Sequence, residues 1–258
     1  MAMASTAISR PEPLFGRDID LGFIESTRHT FVHEGGALVL TGEPGIGKTA
    51  LLKAAARSAS DEGMRVLSAA GVEFEEDVAY AGLNQLLLPL RIELEQLTDR
   101  SRRVLSTALG LDDGSPADRL AICNATLELL ELAGRDAPVL IAVDDLPWLD
   151  RTSAGVLALV ARRTVGRRLG FLGVSRAESE GFFERTGLPQ RALEALDNDA
   201  ASALLEHYFP ELDEHARAQL LANARGNPLA LMELSAELRR SPRFRRPRVG
   251  RSLAAGST

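Results

Sequence analysis

Short apolar runs and helix-period stretches alternate along most of this 258-residue chain. Residues 37–42 (ALVLTG), 65–70 (RVLSAA), 138–145 (PVLIAVDD) and 170–175 (GFLGVS) have the length and content of buried strands. A weaker fifth strand is expected near 190–195. Between them stand helical stretches at 48–61 and 152–165, and a long helical region that contains LNQLLLPL and an amphipathic segment near 116–134. Strands alternating with helices predict a three-layer α/β fold around a mostly parallel five-stranded sheet. From Asp197 onward the strand signal stops. Helices are expected at 198–208, at 213–224 and within GNPLALMELSAEL, which together make a small helical lid subdomain. The expected organisation is a disordered lead-in (1–12), an α/β domain (13–196), the helical lid (197–238) and a disordered arginine-rich tail (239–258). No repeat of about 20–50 residues is present.

One stretch breaks the alternation. Gly42-Glu43-Pro44-Gly45-Ile46-Gly47-Lys48-Thr49 places three glycines and a proline between the first strand and its helix. It fits G-x-x-x-x-G-K-[ST], the phosphate-binding loop, in the strand–loop–helix context that motif requires. Glycines allow backbone N–H groups to turn inward around phosphates, and the helix over 48–61, with Ala50 in its first turn, adds its positive end. Lys48 is expected to reach the β and γ phosphates, and Thr49 to offer its hydroxyl to Mg²⁺. The fold class is therefore that of a P-loop NTPase.

The third strand ends in Asp144-Asp145, about 95 residues after the loop. A strand end with two carboxylates can give one to the Mg²⁺ shell, Asp144, and leave the other, Asp145, to orient a water. Arg176 closes the fourth strand. In a parallel sheet the strand C-termini face the ligand crevice, so this arginine is positioned to sense a γ-phosphate. Trp148 and Asp150 read as packing and helix-capping residues. The four histidines and Cys123 show no metal spacing.

Composition narrows the setting. The chain is 45% hydrophobic and 26% charged, as expected of a globular domain. A single cysteine permits no intrachain disulfide and points to a reducing, cytoplasmic location. No apolar run approaches the ~18 residues of a membrane span, so no membrane partner is expected. The net charge of −6 conceals an asymmetry: seven arginines and no acid lie in 239–258, which leaves −13 on the rest. An acidic body binds nucleic acid poorly. It also lacks helix-turn-helix or zinc-finger spacing, so no sequence-specific DNA binding is expected. Nonspecific phosphate contact would fall to residues 239–258.

The phosphate loop, VDDLPWLD, the strand ending in SR and Gly226-Asn-Pro-Leu-Ala-Leu231 occur in an order that resembles STAND-class signalling ATPases. More narrowly, the chain resembles the origin-recognition-like AAA ATPase domain of large LuxR-type transcriptional regulators, and Tyr80-Ala-Gly-Leu-Asn-Gln-Leu-Leu87 is similar to a segment of that group. The resemblance implies ATP or ADP with Mg²⁺ as ligands, and self-association in the ATP state. It adds two adenine-side residues: Arg17 in Leu14-Phe-Gly-Arg17-Asp18, and Pro228. Read as residues alone, the first is a turn and the second a helix start. Pro147 stands where the group often carries histidine. The resemblance ends after Glu237, without the winged-helix, helical-repeat or helix-turn-helix parts. The segment beyond is expected to be a disordered tail or a truncated end.

The resulting expectation is a slowly hydrolysing, nucleotide-switched ATPase module of a transcription regulator. A non-hydrolysing ADP/ATP-binding interaction module and an orphan fragment of a larger regulator are the alternatives.

Overall fold

A computed structural model describes residues 13–115, 117–177 and 183–240. The elements in chain order are α1 (Asp18–His33), β1 (Gly36–Thr41), α2 (Lys48–Asp61), β2 (Arg65–Ala70), α3 (Ala81–Leu87), α4 (Arg91–Leu94), α5 (Asp99–Ala108) and α6 (Arg119–Ala133). They continue as β3 (Val139–Asp144), α7 (Arg151–Ala161), β4 (Leu169–Val174), β5 (Gln190–Ala192), α8 (Asn198–Tyr208), α9 (Glu214–Ala224) and α10 (Pro228–Arg240).

The five strands form one sheet in the order β2-β3-β4-β1-β5, and every pairing is parallel. This is the P-loop NTPase α/β fold. Alternate residues of each central strand face opposite layers, as the two-residue period of a strand demands. Val39, Ile141, Val143 and Phe171 enter a core shared with α3, α5, α6 and α7. Leu38, Leu40, Leu140, Ala142, Leu172 and Val174 enter a second core beneath α1 and α2. Two buried faces explain why the strands read as continuous apolar runs.

Three features differ from the sequence expectation. The fifth strand stops at Ala192. It lies at the sheet edge and pairs only with β1, so its ladder ends once β1 ends at Thr41. Helix α1 is not signalled by periodicity, because its buried stripe, Asp20, Ile24, Arg28 and Phe31, mixes charged with apolar residues. Ile19 and Phe23 are 82% and 41% exposed, whereas Asp20 and Arg28 are buried. Buried, Arg28 is ion-paired with Glu62 at 2.5 Å. Helix α10 runs through Arg240, two residues into the stretch read as a tail, and Arg239 pairs with Glu211 at 2.9 Å. Residues 1–12 and 241–258 lie outside the described residues.

The chain divides into two compact units, Met1–Glu194 and Ala195–Thr258. Within the second, α8, α9 and α10 bury Leu204, Leu205, Leu220 and Leu231. Aspartates cap α8 and α9: Asp197 accepts from the Ala200 N–H and Asp213 from the Ala216 N–H, each at 2.8 Å. Such caps stabilise a helix by about 0.5–2 kcal/mol. Among the described residues no helix is long and apolar enough to cross a membrane.

Candidate functional site

The loop between β1 and α2 turns through Gly45 at φ 77° and Gly47 at φ 103°. Both angles lie where side chains are disfavoured, so the two glycines are required by the turn. Helix α2 begins at Lys48, directly after the turn, and aims its first unpaired N–H groups back at the loop. The Lys48 side chain folds over the loop, donating from Nζ to the carbonyls of Gly42 at 2.9 Å and Glu43 at 2.8 Å. Burial pulls its pKa below the usual lysine range; Asp145 and Asp144 oppose that shift and Arg176 adds to it. Glu43, Pro44 and Ala50 are exposed, and Ile46 is buried as the apolar anchor of the loop.

Arg17 lies against this loop. Its guanidinium donates to the Ile46 carbonyl at 2.7 Å and to the Glu194 carbonyl at 2.9 Å, and it pairs with Asp20 at 3.3 Å. Asp20 is held in turn by Arg191 at 2.7 Å. Arg17 is 5% exposed and spends these donors on the protein, bracing the phosphate loop. Its pairing with residues 29 and 177 positions away carried no local sequence signal. Pro228 is the first residue of α10 in the second unit. Asn227 caps that helix, its side-chain oxygen accepting from the N–H groups of Leu229 and Ala230 at 3.1 and 3.2 Å.

The carboxylates arrive from β3, two strands away from β1 in the sheet. Thr49 Oγ1 donates to Asp144 Oδ1 at 3.1 Å, joining the loop to the strand end across 95 residues. The two oxygens are hard donors that lie side by side, and a Mg²⁺ ion that keeps its waters and phosphate ligands needs only one or two such groups. Asp145 sits beside them with left-handed backbone, φ 46° and ψ 55°. Burial pushes its carboxyl above the ordinary range and the Asp144 charge adds to this, while Arg176 and Lys48 pull the other way. Its neighbours therefore hold both charge signs within interaction range.

Beyond the carboxylates the chain makes a 3₁₀ turn over Leu146–Trp148, closed by the Trp148 N–H to the Asp145 carbonyl at 2.9 Å. The Arg176 guanidinium, at the end of β4, lies over the indole with its carbon 5.2 Å from the ring centroid. Gly42, Glu43, Pro44, Pro147, Trp148, Arg176 and Ala177 line a cavity of about 650 Å³ that opens on the phosphate loop.

Asp150 closes the same connection as a structural knot. One carboxylate oxygen accepts from the N–H groups of Tyr80 and Ser153 at 3.0 and 2.8 Å, and the other from the Gly82 N–H at 3.0 Å. Burial alone would raise its pKa, but the bonds from Ser153, Thr152 and Gly82 outweigh it and hold the carboxyl low. The capping signal was readable at this position; the tie to Tyr80, 70 residues away, was not. Gly71 packs against this turn so closely that an added Cβ would stand 2.3 Å from the Asp145 carbonyl oxygen.

Lys48, Thr49, Asp144, Asp145 and Arg176 thus belong to one connected cluster around the loop. Among the described residues no group of three or more His, Cys, Asp or Glu side chains is placed to hold a metal. A family profile described as the AAA ATPase domain matches residues 13–172. No curated protein sequence matches significantly. Solved structures with the same fold include the Drosophila ORC bound to DNA, at 14% identity and a TM-score of 0.55 over 88% of this chain. A STAND protein with a tetratricopeptide repeat sensor from Pyrococcus horikoshii follows at 20% identity and a TM-score of 0.52 over 86%. AMPPCP-bound DnaA from Aquifex aeolicus matches at 16% identity and a TM-score of 0.50 over 92%. The chain spans 56%, 30% and 67% of those chains, respectively.

Proposed function

This chain belongs to the AAA ATPase domain family, and on that premise we propose that it is an ATP-binding, slowly ATP-hydrolysing switch module of a LuxR-type transcriptional regulator. The Thr49–Asp144 contact at 3.1 Å carries the reading, because it brings a hydroxyl and a carboxylate from distant chain segments to the edge of a glycine-rich anion cradle. In this reading 42–50 wrap the phosphates and Lys48 exchanges its loop carbonyls for phosphate oxygens. Thr49 and Asp144 would hold Mg²⁺, which neutralises charge on the phosphates.

Asp145 orients the attacking water. Burial raises its pKa and so favours it as a proton acceptor, and its neighbours Lys48 and Arg176 keep the charged form accessible. Arg176 answers to the γ-phosphate, so that ATP and ADP favour different arrangements and the module acts as a switch. Arg17 acts on the adenine side by supporting the loop, and Pro228 offers a flat apolar surface to the base.

Self-association in the ATP state belongs to the same reading. Contact with DNA is nonspecific and confined to residues 239–258, of which Arg239 is already paired with Glu211. Phosphate release from Mg²⁺-ATP, followed for the wild type and Asp145→Asn, tests the reading. Slow release that the substitution abolishes supports it. Tight binding with no release would make the chain a non-hydrolysing interaction module.

A further inference from the structure

Trp148 was readable in the sequence only as a packing residue, yet its surroundings give it more to do. The indole is half-buried and forms a wall of the cavity that opens on the phosphate loop. Its backbone N–H closes the turn that begins at Asp145. Its face carries the Arg176 guanidinium at 5.2 Å. Arg176 is exposed and follows β4, so its long side chain reaches the ring from the neighbouring strand. A guanidinium over an aromatic face is attracted by the ring quadrupole, and tryptophan provides the strongest such face.

We propose that Trp148 is a positioning residue that holds the Arg176 guanidinium at the mouth of the phosphate cavity, and so sets the preference of this site for nucleoside triphosphate over diphosphate. The inference rests on the nucleotide-binding reading above and adds to it the group that makes the site count phosphates. A free arginine must surrender rotamer freedom when it meets a γ-phosphate; one already parked on a rigid ring has surrendered it beforehand. A diphosphate lacks the γ-phosphate and gains nothing from the parking. The same 3₁₀ turn carries Asp145 at one end and Trp148 at the other, so the water-orienting carboxylate and the triphosphate-sensing arginine are placed by one short piece of backbone.

The test uses the full chain with Mg²⁺ and compares a non-hydrolysable ATP analogue with ADP by calorimetry. In Trp148→Ala the affinity for the analogue relative to ADP should fall about two- to fivefold, the equivalent of the 0.5–1 kcal/mol of an exposed cation–π contact at 1.4 kcal/mol per tenfold. The loss should fall on the triphosphate analogue more than on ADP. Trp148→Phe keeps an aromatic face and should recover much of the preference. An unchanged ratio in Trp148→Ala overturns the proposal while leaving nucleotide binding intact, and so does an equal loss for both ligands, which a merely structural role would produce. A wild type that binds neither ligand removes the nucleotide-binding reading and this inference with it. Trp148 is the sole tryptophan, so its fluorescence reports the contact directly and without reliance on the alanine variant folding. Arg176→Ala should shift the emission of the ligand-free protein; unaltered emission would show that the guanidinium does not rest on the ring in solution.

Discussion

Asp145 and Asp150 lie on one short connection after β3, and both are partly or wholly withdrawn from water, yet the protein pushes them in opposite directions. Asp150 is 3% exposed and surrounded by donors: the N–H groups of Tyr80, Gly82 and Ser153 and the Thr152 hydroxyl all point at its two oxygens. Its charge is the glue between α3 and α7. Asp145 has a second carboxylate as its neighbour, left-handed backbone, and a raised pKa whose first cause is burial. The comparison separates two uses of the same residue type. A buried carboxylate whose acceptors are filled is structural; one held under strain beside a cation-rich anion cradle is available for chemistry.

The largest effect should come from breaking the chemical side of that pair. Asp145→Asn is expected to lower ATP turnover by about 10²–10⁴-fold, the range for a positioned general base, while nucleotide affinity stays near normal. Single-turnover phosphate release checks this, and turnover equal to wild type would move the base elsewhere. Breaking the structural side should leave chemistry behind and cost the fold instead. Asp150→Ala removes a helix cap and strands buried N–H groups, a loss of about 2–4 kcal/mol in urea denaturation.

Lys48→Ala sharpens the same contrast from the loop. Ligand at 100 times its dissociation constant should stabilise the wild type by ~2.7 kcal/mol, a melting shift of roughly 5–11 °C. The variant should lose most of that shift, because the charge that meets the phosphates is gone. An equal shift in both proteins would sink the phosphate-loop assignment.

Smaller, but most diagnostic of the comparison, are the pH-dependent stabilities of the two asparagine variants without ligand. The folded pKa of Asp150 is depressed, so its stabilisation is fully present above the unfolded value of about 3.9 and is lost as pH falls through the folded value. Asp150→Asn should therefore be less stable than wild type at neutral pH, with the gap closing in acid. Asp145 has a raised folded pKa, so its charged form weakens the fold once pH rises through that value. Asp145→Asn should melt slightly above wild type at neutral pH. Two variants moving in the same direction would end the distinction drawn between these carboxylates.

The layered α/β fold was legible because β1, β3 and β4 are buried on both faces and their apolar runs are bounded by glycine or acid. The placement of Lys48, Thr49 and Asp144 around the loop was legible because the glycine-rich turn is a local backbone requirement and the acid follows a buried strand directly. Helix α1 was not legible: Ile19 and Phe23 face solvent while Asp20 and Arg28 share the buried face with Ile24 and Phe31, which interrupts the apolar stripe on which periodicity depends. The end of β5 was misplaced for a different reason, since an edge strand lasts only as long as its partner offers carbonyls and N–H groups.

By itself the sequence determined what depends on neighbours along the chain: the alternation of elements, the glycine turn, the paired acids and the Asp150 cap. Tertiary structure alone decided what depends on neighbours in space. Asp20 accepts both Arg17 and Arg191, and Arg17 braces the loop through Ile46. Asp150 joins α7 to the start of α3. Trp148 meets Arg176 from the next strand of the sheet. Local propensities act over a few residues and can be read in order, whereas desolvation and long-range hydrogen bonds exist only after the chain has folded and fixed which polar groups lose water together.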